Sequence, residues 1–342
     1  MEILITGGAG FIGINIAENL IKLGNQVSIL DNLSRQGSEL NLNWLKKVGN
    51  YRFYDCDVSN FDDLSNIIKS NNFDAIIHLA AQVAVTTSLA NPRLDFNSNV
   101  IGTFNLLEAI RLFSPSSALL YSSTNKVYGD LKELKIDELD KKYQLKLLPY
   151  GISESQPLNF YSPYGCSKGA ADQYVLDYCK IYGIKSAVFR QSCIYGPRQF
   201  GIEDQGWLAW FIIAHLLNKR ITIYGNGKQV RDILFIKDLV HLYSLALEKI
   251  DLIKGHAFNI GGGIDNSVSL LEFMDWLSNS SQREVKIDYK PWRPGDQLIF
   301  ISDNRAISKI IDWSPSTNYD KGLKLLYDWI NNNKKEILEI HS

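Results

Sequence analysis

Across the first 190 residues, short apolar runs alternate with amphipathic stretches, and this alternation restricts the fold more than any other feature. The runs lie at 3–6, 27–31, 51–55, 75–79, 118–122 and 186–190, each too short for a helix and rich in Ile, Val, Leu and aromatic residues. Between most of them, 11–23, 61–70, 99–113 and 163–182 carry apolar residues at helical spacing. Strands joined by helices pair in parallel and need cover on both faces, which is why the runs are continuously apolar. A parallel α/β sheet is therefore expected.

The segment "ILITGGAGFIGINIAENL" places Gly7, Gly10 and Gly13 between the first strand and the first helix. Glycine suits a tight turn where backbone approaches a diphosphate, and the helix after it turns free N–H groups toward that diphosphate. With Phe11 and Ile12 in the same turn, this reads as a dinucleotide site in a Rossmann-type doubly wound sheet. Asp31 closes the second strand, 18 residues after Gly13. A carboxylate there accepts hydrogen bonds from ribose hydroxyls and repels a 2′-phosphate, so NAD is expected over NADP. Asn32 adjoins it, and Arg35 could pair with a 2′-phosphate, which keeps NADP open. Asp57 and Val58 come after the third strand, within reach of an adenine. Leu79, Ala80, Ala81 and Gln82 end the fourth and leave room for the cofactor. His78, inside an apolar strand, reads as a core histidine and not as a base.

Tyr164 and Lys168 stand four residues apart on an expected helix, so both face one way. An ammonium beside a phenol lowers the phenol pKa from about 10 and suits it to proton exchange with a hydroxyl. The same spacing occurs at Tyr128/Lys132 and Tyr224/Lys228, but glycines between those partners suit turns. The stretch "LLYSSTNKVYGDL" carries Thr124 at the end of the fifth strand, where ligands of open α/β sheets bind. Its hydroxyl can hold the oxygen that Tyr164 deprotonates.

Residues 132–160 break the rhythm as a polar, irregular insert, either functional or a tolerated surface loop. After Arg190 helices are expected at 206–218, 236–249, 269–278 and 319–331, with short strands between. These form a smaller, interleaved mixed α/β substrate-binding lobe. The division reads as 1–190 for the cofactor domain and 191–231 plus 263–342 for the second lobe. "RDILFIKDLVHLYSLAL" within 232–262 reads as returning to the main sheet.

The 342 residues are 45% hydrophobic with a net charge of -1, so no global field attracts nucleic acid or an anionic membrane. The four cysteines form no CxxC pair, which fits a reduced, cytoplasmic protein. The start "MEILITGG" lacks the features of a secretory leader, and no run reaches about 18 apolar residues. No metal-ligand spacing stands out.

Several segments together carry a resemblance: "TGGAGFIG", "HLAAQ", "NVIGTFNLLEA", "SSTNKVYG", "YGCSK", "YGPRQ", "VRDILFIKD" and "RPGDQ". The chain resembles the extended short-chain dehydrogenase/reductases of the nucleotide-sugar epimerase and dehydratase group. That resemblance implies catalytic positions for Thr124, Tyr164 and Lys168 and a supporting one for Asn99. It implies a nucleotide-sugar substrate held by Thr124, Asn125, Gln205, Arg231 and Arg293, and a homodimer built on the helices at 99–113 and 163–182. Arginine suits a diphosphate because its planar fork makes paired hydrogen bonds. Dehydratases of the group carry Asp-Glu after the threonine, and this chain has Asn125 and Lys126, so 4,6-dehydration is not expected. Cys193 stands where many relatives have Asn, and no contact role passes to it. Within the group the chain is most similar to enzymes that invert C2 of a CDP-linked dideoxyhexose. A nucleotide-sugar 4-epimerase is the nearest alternative, and an NAD-binding regulator without chemistry a more distant one.

Overall fold

The computed structural model describes residues 1–341. Seven parallel strands form the main sheet: β1 (Glu2–Thr6), β2 (Gln26–Asp31), β3 (Arg52–Asp55), β4 (Ala75–His78), β5 (Ala118–Thr124), β6 (Ser186–Gln191) and β7 (Ala257–Ile260). Their order across the sheet is 3-2-1-4-5-6-7. Ile3 lies opposite Val27 on one side and Ala75 on the other, so the chain runs outward from β1 in one direction, then restarts beside it in the other. The reversal opens a crevice at the C-terminal ends of β1 and β4.

Apart from the exposed edge strand β3, both faces of the sheet are buried. Ile3, Ile5, Ile29, Ile77 and Leu120 belong to one core, and Leu4, Leu30, Ile76, Leu119 and Tyr121 to the other. This two-sided burial is the physical reason the strands read as unbroken apolar runs. Helices α1 (Phe11–Lys22), α2 (Phe61–Lys69), α3 (Gly102–Phe113), α4 (Pro163–Tyr182) and α5 (Ile236–Glu248) cover the sheet. The expected helix over 99–113 begins differently: Asn97–Ile101 form a π-helical turn before α3 takes over. Such turns shift side-chain direction and recur at functional sites.

Helix α4 has sharp ends. The Ser162 side chain accepts the Gly165 N–H, Pro163 occupies the first turn, and Gly183 closes the helix at φ 72°. The cap fixes Tyr164 and Lys168 in the opening two turns.

Two expectations need correction. In "RDILFIKDLVHLYSLAL" the strand Val230–Phe235 does not join the main sheet. It forms a second sheet with Cys193–Tyr195, Ser267–Ser269 and Ile299–Phe300. What returns is α5, which packs on α1, and after it β7 at the sheet edge. All six residues of Val230–Phe235 are buried, so its apolar run resembles a main-sheet strand. The 132–160 insert is not wholly irregular. Ile136–Glu138 and Tyr143–Leu145 form a hairpin, and the Tyr143 N–H donates to the Lys228 carbonyl at 3.0 Å. Further on, Ile152 packs with Val127, Tyr128, Leu131 and Phe300.

A buried ion pair ties these parts together. Arg190 on β6 grips Asp172 on α4 through both carboxylate oxygens, at 2.9 and 3.0 Å, and Ser123 donates to the same carboxylate at 2.9 Å. Arg190 also reaches the Tyr128 hydroxyl, which donates to Asn259 on β7. Asn259 in turn donates to the Ile152 carbonyl of the insert. The Arg190 and Asp172 side chains are 6% and 0% exposed. Removing one partner strands a buried charge, so Arg190→Met should lose about 3–5 kcal/mol. The double variant Asp172→Leu/Arg190→Met should recover much of that. Urea midpoints of the three proteins check this, and an Arg190→Met midpoint equal to wild type would contradict it.

Candidate active site

A cavity of about 610 Å³ runs along the C-terminal ends of the strands. At one end lies the turn between β1 and α1. Gly7 adopts φ +67°, and a Cβ there would lie 2.6 Å from the Ala80 nitrogen. A Cβ on Gly13 would meet the Gly7 carbonyl oxygen and the Gly8 Cα, both at 2.6 Å. These contacts force glycine at both positions, one for the turn and its approach to β4, the other for close helix packing. Gly10, Phe11 and Ile12 line the cavity beside them, with the N-terminus of α1 directed at it.

Asp31 accepts N–H bonds from Ala9 at 3.0 Å and Leu33 at 2.9 Å, and stays half-buried at the cavity wall. Burial pushes its carboxyl up, and those two N–H groups oppose the shift. Asn32 donates to Asp57 at 2.8 Å. For Asp57 the hydrogen bonds from Ser59 and Asn32 outweigh burial, and its carboxyl sits below the usual range. Arg35, Val58, Leu79, Ala80, Ala81 and Gln82 complete this half of the wall. A bare glycine turn, a helix N-terminus and a carboxylate at the end of β2 fit a dinucleotide, whose diphosphate the turn could hold and whose ribose Asp31 could accept.

Asn99, in the π-helical turn, holds the wall from behind. It accepts the Gln82 N–H at 2.9 Å and donates toward the Gln82 carbonyl at 3.0 Å and Ser167 at 2.9 Å. His78 is fully buried between the hydroxyls of Thr6 and Thr103, and burial drives its pKa down to about 3. It is a core residue, as its strand suggested.

At the other end of the cavity β5 meets the first turns of α4. Tyr164 and Lys168 line it together with Ser122 and Ser123. The Thr124 hydroxyl adjoins the Tyr164 phenol. Burial raises that phenol to about 12, and Thr124 acts against the rise. Lys168 departs from expectation. Its ammonium does not sit on the phenol; it donates to the Ser122 carbonyl at 2.5 Å and lies 4.4 Å from the centre of the Tyr121 ring. The i, i+4 spacing sets a shared face, but the long lysine stem carries its charge past Tyr164 to the strand end. Burial lowers its pKa to about 7, with Asp172 and Asp95 opposing.

The second lobe contributes a cluster of charge. Arg231 donates to Asp296 at 2.6 Å, and the Lys126 ammonium is 3.6 Å from the same oxygen. Burial, which would raise the Asp296 carboxyl, is outweighed by the two cations, and it stays below the usual range. Arg293 pairs elsewhere, with Asp204 at 2.9 Å, and lies 3.9 Å from the centre of the Tyr224 ring. Asn125 is buried beside Thr124, and Gln205 lines the cavity. Arg231 and Arg293 thus engage two different carboxylates. Burial raises the Cys193 thiol, consistent with packing.

Sequence reasoning missed Asn41 and the segment Arg198–Gly201, which line the cavity. Asn41 donates to the Ala9 carbonyl at 3.0 Å and leaves its own oxygen unpartnered. Nothing in "GSELNLNW" marks it, whereas "YGPRQF" was a visible motif without an assigned role. Among the described residues no group of three or more His, Cys, Asp or Glu could hold a metal, and no helix is long and apolar enough to cross a membrane.

The low Lys168 pKa has a consequence for stability. Unfolded lysine titrates near 10.4, so the unfolded chain binds more protons from about pH 7 to that value. The cost of burying Lys168 is full below about pH 7 and vanishes as pH rises through that window. Lys168→Met should therefore raise the urea midpoint most at pH 6.5, with the gain shrinking by pH 9. A gain independent of pH would show that Lys168 carries no buried-charge penalty.

The family model described as GDP-mannose 4,6 dehydratase matches residues 4–326. The chain is 47% identical over 334 residues to CDP-paratose 2-epimerase of Salmonella typhi, covering 96% of this chain and 99% of that one. It is 33% identical to a putative UDP-glucose 4-epimerase of Methanocaldococcus jannaschii, covering 97% and 99%. Among solved structures it is similar to the Thermotoga maritima UDP-glucose 4-epimerase with UDP-glucose: TM-score 0.85, 30% identity, 98% and 100% coverage. The Bacillus cereus UDP-glucuronic acid 4-epimerase, in complex with UDP-glucuronic acid and NAD, gives TM-score 0.84 and 28% identity, covering 97% and 99%.

Proposed function

From the premise that this chain belongs to the GDP-mannose 4,6-dehydratase family of extended short-chain dehydrogenase/reductases, we propose that it inverts C2 of CDP-paratose to give CDP-tyvelose with NAD as cofactor. The observation that carries the reading is a single cavity that runs from the dinucleotide turn at Gly7–Gly13 to Tyr164 and Lys168, with Thr124 beside the Tyr164 phenol. Beside it stand Asn125 and Lys126, not carboxylates. The 47% relative supports C2 as the reacting carbon.

Held by the residues of this cavity, NAD would supply a hydride acceptor and donor for C2 of the sugar. The Gly7–Gly13 turn holds the cofactor diphosphate, and Asp31 a ribose. Asp57, Val58 and Leu79–Gln82 shape the rest of its seat. Tyr164 takes the proton of the C2 hydroxyl at its phenol oxygen and later gives it back. Thr124 holds the reacting sugar oxygen against that phenol. The buried Lys168 ammonium, on the same helix face as Tyr164, steadies the end of β5 through the Ser122 carbonyl. Arg231 and Arg293 keep the substrate diphosphate in place while the keto sugar turns, with Asn125 and Gln205 beside it. The cavity-lining side chains exclude water from this exchange. Residues 1–190 with α5 and β7 then act as the cofactor domain, and the remainder as the substrate lobe.

Apolar side chains on α3 and α4 support a homodimer. Phe113, Ile181 and Tyr182 are 40%, 60% and 51% exposed, and Tyr174 adds to the same surface. The four free cysteines support a reduced, cytoplasmic setting.

Protein denatured after purification should release NAD(H), read by mass spectrometry; release of NADP alone would overturn the cofactor assignment. Substrate deuterated at C2 should yield product still deuterated at C2, and reaction in heavy water should place no deuterium on carbon, both read by NMR. Solvent label at C2 or C3 would require a base that Asn125 and Lys126 cannot supply, and inversion at C4 would make the chain a 4-epimerase. Tyr164→Phe should bind NAD yet lose at least about 10²-fold in kcat. Light scattering at micromolar concentration should give twice the monomer mass.

A further inference from the structure

We propose that Lys126 is a substrate-positioning residue that draws the diphosphate toward the Thr124–Tyr164 pair and so selects C2 over C4. The inference rests on the C2-epimerase reading above. In a sugar nucleotide the diphosphate hangs from C1, C2 is the adjacent ring carbon, and C4 lies across the ring. Placing C2 at Tyr164 therefore requires the diphosphate to sit closer to the catalytic pair than a pose that presents C4. A cation between that pair and the arginines of the second lobe meets the requirement.

Lys126 occupies that place and is fixed at three points. Its N–H donates to the Thr124 hydroxyl at 3.2 Å. Its carbonyl borders the first turn of α4, where a Cβ on Gly165 would lie 3.0 Å from the Lys126 oxygen. Its ammonium is 3.6 Å from Asp296, which Arg231 also grips. Lys126 thus spans the catalytic strand end, the catalytic helix and the charge cluster of the second lobe. Its side chain is 20% exposed, enclosed enough for a charge to matter. The groups facing it are Asp296, Arg231 and the Cys193 thiol. One carboxylate shared by two cations leaves one positive charge in excess, which a diphosphate can take up. Asp296 orders both cations in advance, so little side-chain entropy is lost when the anion arrives.

The test is calorimetric titration of the NAD-loaded enzyme with CDP and with CMP, which needs no turnover. Lys126→Met should weaken CDP by about 10- to 100-fold, the worth of one charge-assisted hydrogen bond, and leave CMP nearly unchanged. Lys126→Arg should restore most of the CDP affinity, and kcat/KM for C2 inversion should track CDP affinity across the series. Unchanged CDP binding in Lys126→Met would overturn the inference, and so would an equal loss of CDP and CMP, which marks a distorted site. Arg231→Met, measured alongside, separates the two levels. If it loses CDP and Lys126→Met does not, the Lys126 inference falls and the diphosphate seat stands. If Arg231→Met keeps CDP while Lys126→Met loses it, Lys126 is upheld and the role given to Arg231 falls.

Discussion

The parallel register of the main sheet is the constraint on which the molecule depends. Because every strand runs the same way, all their C-terminal ends point to one side. The reversal of order between β1 and β4 then holds two loop sets apart and opens a crevice between them. Thr6, Asp31, His78, Thr124 and Gln191 are the last residues of their strands. The cavity wall at β1, β2 and β4 and the end of β5 thus meet on one edge of the sheet. The crossover helices that a parallel sheet requires supply the remaining parts: α1 gives the diphosphate turn, and α4 gives Tyr164 and Lys168.

The site is held by charge in places where charge is expensive. Arg190 and Asp172 lie in the core directly behind it, and Lys168 is buried on the same helix as Asp172, one turn earlier. Burial opposes the charges of Arg190 and Lys168, and partners offset that penalty more fully for Arg190 than for Lys168. The partners of Lys168, the Ser122 carbonyl and the Tyr121 ring, stabilise its position more than its charge. Ser123 belongs to the ion network through Asp172, so the end of β5 is anchored by the core as well as by the sheet ladder.

The chemistry available beside Thr124 is set by residues 125 and 126. A carboxylate there could remove a proton from carbon and lead to elimination. Asn125 carries an amide and Lys126 an ammonium, and neither is a carboxylate. Lys126 also joins the strand end to Arg231 and Asp296 across the lobes.

Much of this was legible in the chain itself. The glycine turn, Asp31, the strand–helix alternation and the Tyr164/Lys168 spacing are local patterns. Their meaning comes from backbone sterics and helical periodicity, which neighbours in space do not alter. Three matters were not legible. The strand Val230–Phe235 reads as main-sheet because burial on two faces looks the same in either sheet. Asn41 and Arg198 reach the cavity on segments whose paths are set by distant packing, such as Phe200 against Gly37. The direction of the Lys168 ammonium was decided by the Ser122 carbonyl, 46 residues away in the chain. Which residues share a face or a strand end follows from short-range periodicities of the chain. Which charges meet, as at Lys126, Arg231 and Asp296, follows from packing, because an ion pair depends on distances that no spacing along the chain encodes.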